Sequence, residues 1–261
     1  MAGLLIKHAG KLANSWRKRQ REWEISRIGR SLFRGRTFNE VAAVASVDRS
    51  AVPVTAMPYD EKYFEPRYGD MGRKTLTARR VLLDVYECYV VIEVIAARLG
   101  RAPSALKILD IGCNNGYLVL LLRELGFEAY GVDASEYALR LAPERVKPYL
   151  YLGSFAGLPF GDRTFDLAVS WGTIEHLPES DSDSCLKEAI RVSREAMWIG
   201  CDNVPQSIEP YHLTNYPIDW WERKLEKLGQ QVDLELRDAI RHHPFLWKTQ
   251  FYWDALECRL R

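Results

Sequence analysis

The chain lacks several signatures that would settle its class at once. Its five cysteines, Cys88, Cys113, Cys185, Cys201 and Cys258, are scattered and form no CxxC pair. That spacing excludes a zinc ribbon and a disulfide scaffold, and it fits reduced thiols in a cytosol-like compartment. No apolar run has membrane-spanning length; the uncharged stretch 111–122 is broken by Asn114 and Asn115, whereas a span needs roughly 17–25 apolar residues. The opening residues 1–6 are too short for the apolar region of a signal peptide. Histidine is scarce, with five in 261 residues, so any proton-transfer role near neutral pH has few candidates. The net charge is only +1, from 36 basic and 35 acidic side chains.

That near-neutral total hides an asymmetry. Residues 1–36 carry ten basic side chains against Glu22 and Glu24, a net +8 that leaves −7 on the rest. A basic arm on an acidic body suggests an anionic partner for the arm. Leu5, Ala9, Leu12 and Trp16 share one helical face with basic residues between them, which predicts a helix over 1–36. Four settings for it stay open: an anionic membrane surface with Trp16 and Trp23 as anchors, RNA phosphates, a transit peptide, or docking on the domain or a second copy in a homodimer.

With 47% hydrophobic residues, the chain can bury one sizeable core. Composition shifts suggest three parts: a basic helical arm and linker (1–57), a helical cap (58–100) and the main domain (101–261). Within the cap, apolar residues at three- and four-residue steps predict a helix over 77–99 closed by Gly100. From residue 106 the pattern becomes alternating strand and helix. Strands are predicted over 106–111, 128–132, 149–152, 165–171, 196–201, 232–236 and 246–253. Helices are predicted over 117–125, after Ser135, over 185–193 and over 218–228. This alternation means an α/β fold with a mostly parallel sheet.

The informative stretch is Ile108-Leu-Asp-Ile-Gly-Cys-Asn-Asn-Gly-Tyr117. A buried strand feeds a glycine-bearing turn that opens a helix, where a ligand can approach the backbone closely. The dinucleotide fingerprint GxGxxG fails, since Asn114 and Tyr117 occupy its second and third glycine positions, and no GxxxxGK[ST] phosphate loop occurs. Asp133 ends the next strand, 17 residues after Gly116, close to the spacing of a ribose-binding acid. These features together suggest a nucleoside ligand without a pyrophosphate anchor.

On these residues the chain resembles the class I S-adenosylmethionine-dependent methyltransferases, in the group containing the ubiquinone/menaquinone and small-molecule enzymes. LDIGCNNGYL is similar to the family's first motif and GVDAS to its second strand with the ribose acid. GSFAGLPFGDRTFDLAVS resembles the adenine loop and fourth strand, IEHL the segment after it, and LKEAIRVSREAMWIG the next helix and strand. The resemblance covers about half the chain, residues 105–231. It implies a Rossmann-like fold with a mostly parallel seven-stranded sheet, helices on both faces and an N-terminal helical extension. It also implies S-adenosyl-L-methionine as cofactor. Two departures stand out: Asn114 replaces a central glycine, though Asn tolerates positive φ, and Ser154 stands where an aspartate is common.

The resemblance implies that Asp110, Gly112, Cys113, Asn114, Gly116 and Tyr117 shape the methionine and ribose pocket. Asp133 and Ala134 would sit at the ribose, Ser154 and Phe155 at the adenine, and Trp171 beside the sulfonium; for Trp171 core packing is an equal alternative. His176 and His212 follow the fourth and fifth strands and are the candidate bases for an oxygen acceptor. Tyr59, Tyr63, Tyr68 and Trp220 are candidates to line the acceptor pocket, or simply to pack. No metal site is assigned: Glu175, His176 and His212 offer oxygen and nitrogen donors, but the further ligand such a site needs is not evident. The expected reaction is methyl transfer to a small-molecule or glycan-like acceptor, with an RNA methyltransferase and a non-catalytic cofactor-binding module as alternatives.

Overall fold

The computed structural model describes Arg19 and residues 78–201, 212–243, 246 and 255–260. The expected arm, linker and aromatic segment therefore lie outside the described residues, apart from Arg19, which is helical and exposed.

The first helix, α1, runs Ala78–Arg98 and buries Tyr86, Val90, Val91, Ile92, Ile95 and Ala96. Gly100 ends it at φ +65, and Arg101 N–H closes back on the Ala96 carbonyl, the left-handed stop that glycine accommodates. There follow β1 (Lys107–Ile111), α2 (Tyr117–Glu124), β2 (Glu128–Asp133), α3 (Glu136–Arg140) and β3 (Leu150–Leu152). Next come β4 (Phe165–Ser170), α4 (Ser182–Val192), β5 (Ser193–Gly200), α5 (Ile218–Lys227), α6 (Leu234–Arg241) and β6 (Ala255–Arg259). Ser135 caps α3 as its position predicts, its hydroxyl accepting the Ala138 N–H at 3.0 Å.

The strands form one sheet in the order β3-β2-β1-β4-β5-β6. β1 to β5 are parallel and β6 runs antiparallel to β5. Strand alternation sorts the core into two layers. Ile108, Leu167, Val169, Ala196 and Trp198 join the helix residues of α1, α2 and α6 on one face. Leu109, Ile111, Ala168, Met197 and Ile199 join those of α4 and α5 on the other. The near-continuous apolar strands of the sequence are thus explained by burial on both sides.

One expected strand is corrected, and another lies almost wholly outside the described residues. Residues 232–236 do not extend: Asp233 caps α6, its carboxylate accepting the Leu236 N–H at 3.0 Å, and Leu236 and Ile240 bury one helical face. The alternation Val-Asp-Leu-Glu-Leu imitates a strand, but the cap and the four-residue apolar step prevail. Of the strand expected over 246–253 only Leu246 is described, in a turn; 247–254 lie outside the described residues, and β6 follows. Among the described residues the sheet therefore has six strands where seven were expected. Arg237 locks this end by bonding Glu257 on β6 at 2.9 Å and Glu222 on α5 at 2.7 Å.

The strand order reverses at β1, whose chain neighbour β2 lies on one side and β4 on the other. In open α/β sheets that reversal creates a crevice beyond the carboxyl ends of the strands.

Candidate active site

The turn after β1 is built for that crevice. Gly112 and Cys113 both donate N–H to the Val132 carbonyl, at 2.8 and 3.1 Å, which folds the turn across the end of β2. Gly112 (φ +79), Asn114 (φ +53) and Gly116 (φ +74) all take left-handed backbone. Asn114 fills the place of the missing glycine in the conformation expected of it. A Cβ on Gly112 would lie 2.1 Å from Thr173 Oγ1, and one on Gly116 would lie 2.8 Å from a Leu150 methyl. The left-handed backbone and the close approach both favour glycine at Gly112, and the left-handed backbone favours it at Gly116.

Asp133 closes the turn from β2. Its carboxylate accepts Asn114 N–H at 2.7 Å and Ser135 N–H at 2.8 Å, one on each oxygen. A carboxylate has about four acceptor positions, so capacity remains for ligand hydroxyls. Asp110, on β1, is buried at 4% exposure. Burial, and then the charge of Asp133, push its carboxyl up to about 7. Burial also raises Asp133 itself, against the pull of the Ser135 and Asn114 N–H groups. The same two acids follow burial in holding the Cys113 thiol well above its ordinary range. Tyr117 is buried at the start of α2, and burial moves its hydroxyl up to about 12. Ala134 is half-buried between Asp133 and Ser135.

The loop after β3 carries Ser154 and Phe155. Gly153 N–H donates to the Asp133 carbonyl at 3.0 Å, joining this loop to the end of β2. Ser154 Oγ accepts the Ala156 N–H at 3.2 Å, so the hydroxyl shapes its own loop. Phe155 is buried with Leu158 in the second core layer. A latch that sequence reasoning missed holds this loop from α4. Glu188 accepts the Leu158 N–H at 2.6 Å and pairs with Arg191. Arg191 in turn donates to the carbonyls of Leu158 and Phe160 and to Asp162. The acid and the base lie three apart on one helix, but nothing in the sequence marks the loop carbonyls that they hold.

Trp171 follows β4 and stacks on the buried Trp198, with centroids 4.8 Å apart and 25° between planes. One face of its ring is therefore committed to the core. Next comes the 3-10 turn Ile174–His176. Here the structure brings the two candidate histidines together: the rings of His176 and His212 meet edge to face, with centroids 4.6 Å apart. Leu213 and Thr214 N–H both donate to the Glu175 carbonyl, at 2.8 and 3.0 Å. Thr214 Oγ1 donates to the Leu177 carbonyl at 2.5 Å. Trp220 is half-buried, with Tyr216 stacked on it at 4.2 Å and Lys224 Nζ 4.5 Å from its centroid. Tyr59, Tyr63 and Tyr68 lie outside the described residues.

Most of these groups follow the carboxyl ends of β1 to β4, around the reversal point, while His212 and Trp220 follow β5. Two carboxylates at the turn would repel a pyrophosphate and suit a ligand bearing hydroxyls and positive charge.

Residues 108–196 match the family model described as a methyltransferase domain. That segment is similar to a class I S-adenosylmethionine-dependent methyltransferase domain. Its cofactor is S-adenosyl-L-methionine, and the donor set just described suits that cationic nucleoside. Over 98 residues the chain is 34% identical to a ubiquinone biosynthesis O-methyltransferase of Mesorhizobium japonicum, covering 33% of this chain and 39% of that protein. Over 77 residues it is 38% identical to a malonyl-[acyl-carrier protein] O-methyltransferase of Erwinia pyrifoliae, covering 27% and 29%. These matches thus span less than two fifths of either relative. The crystal structure of magnesium protoporphyrin IX methyltransferase from Synechocystis PCC 6803, with bound SAH, shares the fold at a TM-score of 0.54 and 15% identity. It covers 77% of this chain and 97% of that one. Among the described residues no helix is long and apolar enough to cross a membrane, and the five cysteines are buried thiols.

Proposed function

We propose that the chain transfers a methyl group to a small-molecule or glycan-like acceptor at an oxygen atom. The observation that carries this reading is Asp133, which ties its carboxylate to the turn after β1 while keeping acceptor positions for two ribose hydroxyls. The bound cofactor supplies an activated methyl on its sulfonium. The chain's own residues bind, align and exclude water. Asp110, Gly112, Cys113, Asn114, Gly116 and Tyr117 surround the methionine and ribose portion, with Ala134 beside Asp133. Ser154 and Phe155 stand at the adenine, in the loop that Arg191 holds. Trp171 stands at the sulfonium end.

His176 and His212 stand at the acceptor end, where a ring nitrogen serves to take the hydroxyl proton as the oxygen attacks. Oxygen is favoured because both relatives described above carry O-methyltransferase names. Tyr59, Tyr63, Tyr68 and Trp220 belong to the acceptor side, within the three-part layout of arm (1–57), cap (58–100) and catalytic domain (101–261). The +8 arm is read as the contact to an anionic membrane surface.

Calorimetric titration with S-adenosylhomocysteine tests the cofactor site. The expected result is binding by the wild type and at least about tenfold weaker binding by Asp133→Asn, which keeps the side-chain shape and one acceptor oxygen. Unchanged affinity in Asp133→Asn and Asp133→Ala would remove the assignment.

A further inference from the structure

We infer that Thr173 is a positioning residue that couples the turn after β1 to the acceptor end of the site. Its side chain packs directly on the backbone of Gly112: a Cβ there would lie 2.1, 2.6 and 2.9 Å from Thr173 Oγ1, Cγ2 and Cβ. Its hydroxyl hydrogen is shared between the Ile111 carbonyl at 3.4 Å and the Trp171 carbonyl at 3.2 Å. Its own carbonyl accepts His176 N–H at 3.1 Å and so closes the 3-10 turn Ile174–His176. One half-buried residue therefore touches the turn after β1, the backbone of Trp171 and the turn that carries His176.

The surrounding contacts show how a shift would pass. Ser170, buried at the end of β4, donates its hydroxyl to the same Ile111 carbonyl at 2.9 Å. The end of β1 is thereby anchored to β4, and any adjustment of the turn begins at Gly112. The Thr173 side chain fills the space that a Cβ on Gly112 would take. The two residues therefore cannot move independently without opening a gap or making a clash. On the other side, the 3-10 turn holds by single bonds, His176 N–H on the Thr173 carbonyl and Leu177 N–H on the Ile174 carbonyl at 3.3 Å. Such a turn opens locally at low cost, so it gains order when Thr173 is held.

This inference rests on the proposed reading of the turn after β1 as part of the cofactor site and of His176 as an acceptor-side group. A ligand seated against Gly112 narrows the positions open to Thr173, and Thr173 narrows those open to His176. Cofactor binding thus orders the acceptor end before the acceptor arrives, and the coupling is reciprocal. In that reading residues 174–177 do not touch the cofactor. Order that appears there on cofactor binding is therefore transmitted through the chain.

The test is amide hydrogen exchange of the full chain with and without saturating S-adenosylhomocysteine, read at residues 112–117 and at His176 and Leu177. In the wild type the ligand should slow exchange at both places, by at least about tenfold at His176 and Leu177. In Thr173→Ala, protection of 112–117 should persist at saturation, while that of His176 and Leu177 falls below about threefold. Thr173→Ser keeps the hydroxyl oxygen that lies nearest Gly112 and should retain most of the effect. A residue that only supported the fold would change exchange equally with and without ligand, which this difference does not register. Wild-type protection of 112–117 without protection of His176 and Leu177 would overturn the coupling, whether or not the alanine variant folds. Equal protection of His176 and Leu177 in the wild type and Thr173→Ala would also overturn it. Failure of the ligand to protect 112–117 in the wild type would instead overturn the cofactor reading, and the coupling with it.

Discussion

The carboxylate of Asp133 reaches back across the sheet and accepts the backbone N–H of Asn114 at 2.7 Å. The acid that faces the ligand is thus also a strut of the turn. Asn114 presents that N–H because its backbone is left-handed at φ +53. Asn114→Gly keeps the conformation and is expected to leave stability and S-adenosylhomocysteine affinity nearly unchanged. Asn114→Val cannot hold it without about 1–2 kcal/mol of strain, and it should weaken the ligand as the N–H turns away. Chemical denaturation and calorimetry on the two variants check both effects; equal behaviour would separate the turn from the site.

Gly112 is constrained twice, by its φ of +79 and by Thr173, whose Oγ1 would lie 2.1 Å from an added Cβ. Gly112→Ala should therefore destabilise the fold by more than about 2 kcal/mol. Thr173→Gly removes the clash but not the backbone strain. The double variant should recover at least about 1 kcal/mol relative to the sum of the singles. Strict additivity in a denaturation cycle would mean that Thr173 does not press on the turn.

Arg191 and Glu188 hold the loop that carries Ser154 and Phe155, although neither belongs to a recognised ligand motif. Arg191→Met removes donors to two carbonyls and Asp162 at once. Since Arg191 remains about one-third exposed, its loss should act through the loop more than through global stability. The expected result is roughly tenfold weaker S-adenosylhomocysteine binding with a nearly unchanged denaturation midpoint. Arg191→Lys should not restore affinity, because an ammonium cannot reproduce the planar fork. Full rescue by lysine would reduce the role to charge alone.

Most of the fold was legible because its signals are local. The strand–turn–helix at Asp110–Tyr117, the acid ending β2 and the serine cap of α3 each lie within a few residues. What failed was also local: Val232 to Leu236 alternates like a strand, and only the hydrogen bond from Leu236 N–H to Asp233 reveals a helix start. The contacts that complete the site were not legible. His176 and His212 meet through a backbone clamp between separated segments, and no periodicity encodes such a contact. The loop latch from Arg191 is similar, since its partners on the loop are mostly carbonyls, which carry no sequence signal.

The raised Asp110 makes a signed prediction about pH. In the unfolded chain its carboxyl ionises near the ordinary value of about 4; in the fold, burial and then Asp133 hold it up to about 7. Between those two values the folded protein keeps a proton that the unfolded chain has released. Stability therefore falls as pH rises through that window and levels off above about 7. Asp110→Asn is neutral throughout and does not carry this dependence. Its stability relative to the wild type should improve between pH 5 and pH 8 by on the order of 2 kcal/mol. Cofactor affinity should move oppositely, because the ionised acid attracts a cationic ligand and the amide does not. Denaturation of both proteins at the two pH values decides the matter. A constant difference between them would show that Asp110 is already ionised at pH 5, and the acid pair would then carry its full negative charge into the cofactor site across the whole range.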